Sequence, residues 1–534
     1  MMLRKIAFAG LFALAQASAA CAPMGDEDST AVSEPDPDEI TGTNSVARNM
    51  SVQSFVLVRT GASTSEVTTA VQRQVRVLFG AAKAVEIGLS DRDGNNIDTS
   101  TFVRDTVTVV DPANASATPT RMDRVRYTYR DTAVVVRSLA TRRTIGTSTL
   151  FGNYNNYADE VIPSCQDEHQ DWGASGLWYN YTPTLTACKA LVDSEATRIN
   201  AERRNLTDPD HQVTVSEVNR HFLPVTMRFT GIRNTTVKYP DYHRLFEGDH
   251  FVAYSFFGID KEDDANDYGA RNYFGFLRSM LSAQLNLRVQ GTTDGTNLLN
   301  VVWQGTAIQN VTYDRIIGWI LDNRDLPTQV TTANRAAFRL QILRQWRGHF
   351  VKLGMNSNVT INGASHPVAI EIRSYYGDEE SWNSGATARY RAAFGDANVF
   401  QYTGHSHLGS GPLDARNYSS SDFADHYQII MANSCVSFNY YNDYFDMHPG
   451  GTRNLDTITN GLPVYLEGSG ISSARILNAL IDGRWRSYAD VLGAARIDLP
   501  WESSYDPNRV ADGETDNTFS PSRYTMSIST SAIR

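Results

Sequence analysis

The sequence is poor in cysteine, has no excess of basic residues, and has no long apolar run after its first twenty residues. Four cysteines among 534 residues exclude a small scaffold built on many disulfides. The net charge is −11 without a Lys/Arg cluster to offset it, which argues against nucleic acid as a partner. From residue 40 onward no run is long enough to span a bilayer. The hydrophobic fraction of 41% is ordinary, so most of the chain is expected to fold.

Residues 1–20 have the pattern of an export signal peptide. Arg4 and Lys5 precede a short apolar stretch, and small residues then lead to Cys21. Segment 18–21 resembles a lipobox, whose cysteine becomes a lipid anchor, although leucine usually stands where this chain has serine. Cleavage after the Ala-Ser-Ala at 17–19, giving a periplasmic or secreted protein, is the alternative. We expect an exported protein that Cys21 anchors to the outer membrane or cell surface.

The remaining chain divides into an acidic tether and two folded regions. Residues 21–49 are expected to form a disordered tether, because seven acidic residues and no Lys or Arg occur between 22 and 39. Residues 50–245 mix strand and helix patterns, which predicts an α+β domain with a prodomain-like or binding role. Residues 246–534 alternate short apolar runs with helical patterns, which predicts an α/β fold with a mostly parallel sheet.

The cysteines separate into a pair and a remainder. Cys165 and Cys188 flank a stretch rich in Trp and Tyr, and in an oxidising compartment they are the natural disulfide. If Cys21 is lipidated or removed, Cys435 is left without a disulfide partner. Such a thiol is expected to be either buried and inert or used chemically.

Two apolar segments end in small or polar residues that present a single reactive side chain. The strand predicted at Val399–Tyr402 is followed by Gly404 and His405, and the strand predicted at Tyr427–Met431 leads to Cys435, thirty residues after that histidine. Catalytic groups in parallel sheets lie just beyond the carboxyl ends of the strands. Neighbouring strand ends would bring an imidazole to a thiol, which is the pair that a cysteine nucleophile needs.

These two segments resemble the caspase-like clan of cysteine peptidases, and most closely the gingipain-type family. The matching residues are Tyr402-Thr403-Gly404-His405 and Ser434-Cys435-Val436-Ser437-Phe438. The resemblance implies a caspase-like α/β/α sandwich without a cofactor, acting on protein or peptide substrates.

The resemblance also implies a role for each site residue. Cys435 would be the nucleophile and His405 the general base, and the backbone N–H groups of Ser406 and Cys435 would bind the oxyanion. Ser406 stands where the family has glycine. With an amine as the acyl acceptor, the same site would catalyse transpeptidation.

Three alternatives remain open at this stage. His407 could replace His405 as the base. His405 and His407, with His426 or Asp425, could instead hold zinc in a metal-dependent hydrolase. The chain could also be a catalytically degenerate surface lipoprotein that acts as a binding module. For the residue that orients the base, Asp425 and Asn433 are the candidates.

An acidic cluster follows the first strand of the second region. It is expected to be a solvated loop, with a structural calcium site or a subsite for basic substrate groups as the alternatives. Its calcium candidates are Asp260, Asp263, Asp264 and Asp267.

Overall fold

The computed structural model describes residues 39–114, 116–166, 173–231, 237–378 and 384–533. The signal peptide, Cys21 and most of the predicted tether lie outside the described residues. Within the described ranges, no helix combines the length and the apolar character needed to cross a bilayer. The described residues fall within one compact unit.

Residues up to 231 supply a seven-stranded sheet and the helices that pack on it. The strands of this part are β1 (Ile40–Thr41), β2 (Ser45–Arg59), β3 (Ile87–Leu89), β4 (Val103–Val110), β5 (Thr120–Val136), β6 (Thr144–Leu150), β7 (Gln212–Thr214) and β8 (Phe222–Thr230). Its helices are α1 (Thr64–Lys83), α2 (Ala158–Cys165), α3 (Leu177–Asn180), α4 (Thr186–Arg203) and α5 (Val215–Val218).

The strand order of this sheet is β6-β8-β2-β5-β4-β7, with β3 beside β5. All pairs are antiparallel except β4 with β7. The alternation at Thr106–Val110, Arg124–Tyr129 and Ala133–Val136 predicts hairpin strands. The first two runs do pair antiparallel as parts of β4 and β5, but the last two belong to the single strand β5. Alternate side chains from Asp123 to Val135 are buried, so the strand continues without a turn. Helix α1 begins at a capping box formed by Ser63 and Glu66.

Residues from 237 onward form most of a ten-stranded sheet. Their strands are β9 (His250–Gly258), β10 (Arg288–Thr292), β11 (Val302–Trp303), β12 (Thr306–Ala307), β13 (Phe350–Ile361), β14 (Ala364–Gly377), β15 (Val399–Thr403), β16 (Gln428–Asn433), β17 (Leu455–Asn460), β18 (Ile497–Leu499), β19 (Glu502–Tyr505), β20 (Arg509–Asp512) and β21 (Met526–Ser531). Their helices are α6 (Tyr242–Leu245), α7 (Tyr268–Ser282), α8 (Tyr313–Leu321), α9 (Arg335–Trp346), α10 (Ser384–Phe394), α11 (Asp443–Met447), α12 (Ser469–Ile481) and α13 (Tyr488–Ala494).

This large sheet has the order β1-β20-β17-β16-β15-β9-β14-β13-β10, and β21 also pairs with β13. The five strands from β17 to β14 are parallel, and the outer pairs are antiparallel. The α/β class with parallel strands is therefore confirmed. Side chains of β9 alternate between two cores: Phe251 and Phe257 pack with α7, while Phe256 packs with α10. Helices thus cover both faces of the sheet, as buried parallel strands require.

Two predicted elements after residue 330 are wrong in their bounds. The apolar run Leu462–Leu466 predicts a strand, but this segment is a loop, and the strand beside β16 is β17 instead. Pro463 lacks the N–H that a ladder needs, whereas the polar residues of β17 hid a fully buried strand. The helical pattern from Arg335 to Leu353 predicts a single helix, but the helix ends at Trp346, because Gly348 has a φ of +86° and β13 then begins.

The boundary of the predicted tether also differs from expectation. Residues 40–49, predicted to be disordered, contain β1 and the first part of β2. Ile40 is buried in the core of the large sheet, where β1 pairs with β20, so apolar burial orders this end. The chain therefore enters the large sheet before it forms the smaller one.

Candidate functional site

The carboxyl ends of β9, β15 and β16 meet at one edge of the large sheet. In the parallel ladder, Thr403 of β15 is paired with Asn433 of β16. His405 and Cys435 each follow that pair by two residues, so they occupy equivalent positions on adjacent chains. Neighbouring strands are about 4.8 Å apart. The sequence prediction that these two residues emerge side by side after neighbouring strands agrees with this register.

The Cys435 thiol is half-buried beside the loop that follows β17. The Val464 N–H donates to Sγ at 3.4 Å, and the thiol lies 3.7 Å from the Val464 carbonyl oxygen. Hydrogen bonds to sulfur stabilise the thiolate form when the donor is a backbone N–H. The environment of Cys435 is thus more polar than that of a cysteine inside a hydrophobic core.

The chain turns sharply at the residue after Cys435. Val436 has a φ of +45°, in the left-handed region, and a β-branched residue there is a genuine outlier. The turn is held because the Ser437 hydroxyl donates to the Ala432 carbonyl at 2.7 Å and accepts from the Asn460 N–H at 2.9 Å. Such strain persists only where the surrounding structure imposes it, and it is concentrated at functional sites.

His405 contacts a carboxylate from the neighbouring strand end on its other side. Its Nε2 lies 3.2 Å from Asp260 Oδ1, and Asp260 follows β9 by two residues. The imidazole is about half exposed, whereas the carboxylate is largely buried. The Tyr402 hydroxyl also donates to the His405 carbonyl at 2.8 Å. A thiol, an imidazole and a carboxylate therefore follow three adjacent strands, β16, β15 and β9.

From sequence, Asp260 was expected in a solvated loop with calcium binding as the alternative, so its pairing with His405 was missed. The reason is distance along the chain: 145 residues separate the two partners. Asp425 and Asn433, the candidates for the orienting residue, do not fill that place. Asp425 precedes β16 at the opposite edge of the sheet, and Asn433 donates to the Ser469 carbonyl at 3.0 Å.

The other aspartates of the acidic cluster form hydrogen bonds and ion pairs within this chain. Asp267 caps α7 through Ala270 N–H and also accepts the N–H groups of Asp260 and Lys261. Burial raises the pKa of the Asp267 carboxyl above its usual range. Asp263 pairs with Arg344, and Asp264 accepts the Asn266 N–H.

These contacts give no support to the alternative of a calcium site. The four aspartates form a capped loop and ion pairs, and in the described ranges no three acidic, His or Cys side chains are arranged to hold a metal ion. One result of the loop is to fix the backbone of Asp260.

Ser406 fits the backbone at the position where the resembling family has glycine. Its φ is −76°, which any L-residue adopts, so glycine is not needed there. Its N–H donates to no acceptor within the described residues. The Ser406 N–H is therefore not committed to another hydrogen bond within these residues.

His407 differs from His405 in its surroundings. It has a φ of +47°, and it lines a narrow crevice with Tyr402 and Leu413 that His405 also borders. Burial, and then the charge of His405, lower the pKa of the His407 imidazole. The half-exposed His405, which has the carboxylate partner, is better suited to exchange protons.

The candidates for a third zinc ligand, His426 and Asp425, do not lie near His405 and His407. His426 lies before β16, and its Nε2 is 3.2 Å from the carbonyl oxygen of Ala397, which precedes β15. Both positions are at the amino ends of the strands. His426 and Asp425 are thus at the edge of the sheet opposite His405 and His407, and they cannot complete that ligand set.

A buried polar network behind the site joins the strands to α12. The Ser255 hydroxyl of β9 donates to Gln401 of β15, whose amide donates to the Ser473 carbonyl at 3.1 Å. The Ser473 hydroxyl contacts Thr403 at 2.8 Å and accepts from Asn433 at 3.1 Å. Sequence reasoning missed this network, although polar residues within apolar strands were its visible signal. Satisfied buried networks fix the relative positions of the elements they join.

The smaller sheet region also contacts the loop after Cys435. The Arg92 guanidinium lies 5.9 Å from the ring centre of Trp178 and 5.1 Å from that of Tyr440.

The predicted disulfide between Cys165 and Cys188 is confirmed, and it ties together the helices on either side of Trp178.

Comparisons of this chain with family models, curated proteins and solved structures gave no match. The resemblance to caspase-like peptidases stays a prediction from the motif residues.

Proposed function

We propose that this protein is a cysteine peptidase with a caspase-like α/β/α sandwich, in which Cys435 is the nucleophile, His405 the base and Asp260 the residue that orients it. The observation that carries the proposal is the arrangement of these three side chains after β16, β15 and β9, with His405 Nε2 3.2 Å from Asp260. Catalytic dyads and triads are recognised by geometry and roles rather than by position in the chain.

The proposed reaction begins with attack of the Cys435 thiolate on a peptide carbonyl carbon. The carbonyl π electrons move to oxygen, and the backbone N–H groups of Ser406 and Cys435 bind the resulting oxyanion. His405, which took the thiol proton, returns it to the leaving amine as the C–N bond breaks. Water, deprotonated by His405, then attacks the thioester and releases the carboxylic acid and the thiol. Asp260 holds the imidazole through Nε2, so Nδ1 is the ring nitrogen that exchanges protons.

Thiol labelling tests this proposal directly. We expect iodoacetamide to modify Cys435 faster than it modifies a free thiol such as glutathione at the same pH, because His405 favours the thiolate. Peptide mapping assigns the labelled cysteine, and Cys435→Ala serves as the control. Cleavage of a casein or peptide substrate should be lost with Cys435→Ala and should survive a chelator. Slow labelling without cleavage would instead support a binding module, and loss of activity with the chelator would support a metal-dependent hydrolase.

The cellular location is a separate proposal that rests on residues 1–39. We infer export and lipid attachment at Cys21, with the acidic residues that follow as a tether. Growth of the producing bacterium with radiolabelled palmitate tests it. Wild-type protein should incorporate label and Cys21→Ala should not, whereas an unlabelled wild type of mature mass would indicate simple secretion.

A further inference from the structure

The loop that follows β17 lies directly beside the proposed nucleophile. Val436 N–H donates to the Leu462 carbonyl at 3.1 Å, and Val464 N–H lies 3.4 Å from Cys435 Sγ. In the strand order β15-β16-β17, this loop is on the side of Cys435 away from His405. Since His405 protonates the leaving amine, the acyl part of a substrate is expected on the side of this loop.

Two large aromatic side chains are exposed at the same place. Tyr465 directly follows Val464 and is 50% exposed, and Trp501 is 57% exposed at the turn between β18 and β19. Their ring centres are 5.6 Å apart and their planes are nearly perpendicular. Trp501 is the only exposed tryptophan in the described part of the chain. Adjacent exposed aromatic rings beside a reactive group indicate a binding surface.

Buried residues beneath Tyr465 and Trp501 support the two exposed rings. Buried Tyr505 packs against Tyr465 with ring centres 5.2 Å apart, and its hydroxyl donates to the Pro463 carbonyl and accepts the Tyr465 N–H, both at 3.1 Å. A Cβ on Gly468 would lie 2.4 Å from Ile497 Cδ1, so the β18–β19 hairpin packs closely on the loop. A surface that is already ordered loses little conformational freedom when it binds a ligand.

We propose that Tyr465 and Trp501 form a subsite for a large apolar or aromatic side chain on the acyl side of the bond that is cleaved. This inference rests on the proposed peptidase function and deepens it by naming the class of substrate. Covering two exposed rings with an apolar side chain removes apolar surface from water on both partners.

The first test compares fluorogenic peptides that carry Phe, Leu, Gly, Lys or Asp at the two positions before the cleaved bond. We expect the highest kcat/KM with Phe or Leu at one of these positions. Trp501→Ala and Tyr465→Ala should each lower the ratio of kcat/KM for that substrate to kcat/KM for the Gly substrate about tenfold or more. Val103→Ala, at an exposed apolar position on the smaller sheet, is the matched control. A preference for Lys or Asp, or an unchanged Phe/Gly ratio in both variants, would overturn the proposal.

The second test does not depend on catalysis. The Cys435→Ala protein is titrated calorimetrically with the same peptide sequences as non-fluorogenic amides. The Phe or Leu peptide should bind at least about tenfold more tightly than the Gly peptide, and Trp501→Ala in the same background should abolish the difference. Equal affinities would overturn the subsite even if Cys435 is a confirmed nucleophile. Selective apolar binding together with an unreactive Cys435 would support the subsite and contradict the peptidase.

Discussion

The two ends of the parallel strands in the large sheet both carry polar side chains, but in opposite environments. At the carboxyl end, His405 is about half exposed and Cys435 is half-buried, each directly after a strand. At the amino end, Asp456 of β17 is fully buried, and the hydroxyls of Tyr427 and Tyr488 donate to its Oδ2. The same sheet therefore presents reactive groups at one edge and encloses a carboxyl group at the other.

This difference in exposure indicates different roles for the polar residues at the two ends, chemical at the carboxyl end and structural at the amino end. A half-exposed imidazole can meet a substrate, whereas a buried carboxyl can act only on the protein around it. Burial raises the pKa of Asp456 to about 7, and its neighbours Tyr427, Tyr488 and Asn517 partly offset this by hydrogen bonding. We expect substitutions at the carboxyl end to change activity and substitutions at the amino end to change stability.

Replacing the proposed base should have the largest effect. His405→Ala is expected to lower kcat/KM about 10²–10⁴-fold, because no group remains to take the thiol proton and return it to the leaving amine. The measurement is peptide cleavage under first-order conditions. His426→Ala, at the amino end of β16, is the control and should stay within about twofold of wild type. Equal losses in the two variants would contradict the distinction between the edges, and a loss only with His407→Ala would move the base to that residue.

Asp456→Asn should change how stability depends on pH. Because burial raises the pKa of Asp456 in the folded protein to about 7 from 3.8, the folded state holds this proton more tightly than the unfolded state. The stability it contributes is fully present below about pH 3.8 and is lost as the pH rises through about 7. Asparagine does not titrate and keeps an oxygen that can accept the same hydrogen bonds.

Urea unfolding at several pH values measures this effect. From pH 4 to pH 7.5, the unfolding free energy of wild type should fall relative to that of Asp456→Asn by up to about 4 kcal/mol. Each unit of pKa shift corresponds to about 1.4 kcal/mol. Asp425→Asn replaces an exposed carboxylate at the same edge and should show no such gain. A difference between Asp456→Asn and wild type that does not vary with pH would show that Asp456 is ionised in the folded protein.

Asp260→Asn should have a smaller effect on activity than loss of the base. We expect kcat to fall about 10–100-fold with KM changed little, since the amide can still contact Nε2 but no longer enforces one tautomer. Asp263→Asn, in the same loop but paired with Arg344, is the matched control. A purely structural role for Asp260 would appear as a lower unfolding free energy with an unchanged kcat in the folded fraction.

Local patterns were sufficient to predict the central strands and the positions of the polar residues that follow them. The apolar runs of β9, β15 and β16 were clear, and each was followed by Gly, Ser or Asp, so the positions of His405 and Cys435 followed from them. A strand that is buried on both faces appears in the sequence as a short continuous apolar run.

Contacts between distant segments were not predictable in the same way. The polar residues of β17 hid a buried strand, because the hydrogen bonds that satisfy Asp456 come from Tyr427, Tyr488 and Asn517. The partner of His405 depends on which strands are neighbours, and no local period encodes that. For the same reason, β1 was mistaken for tether, since its pairing strand β20 lies near the far end of the chain.

The strained turn after Cys435 gives the smallest expected effect and tests the carboxyl end without an activity assay. Val436 is buried, so Val436→Ala and Val436→Gly both lose its packing, and their difference isolates the backbone. Glycine is usually worse than alanine by about 0.5–1 kcal/mol in a regular element, but an L-residue in the left-handed region costs about 1–2 kcal/mol. Val436→Gly should therefore be more stable to urea than Val436→Ala by up to about 1 kcal/mol. Ala432→Gly, in the regular strand β16, should show the ordinary loss. If Val436→Ala is instead more stable than Val436→Gly, position 436 behaves like position 432 and its backbone is not strained. Backbone strain would then not distinguish the carboxyl ends of the strands from the amino ends.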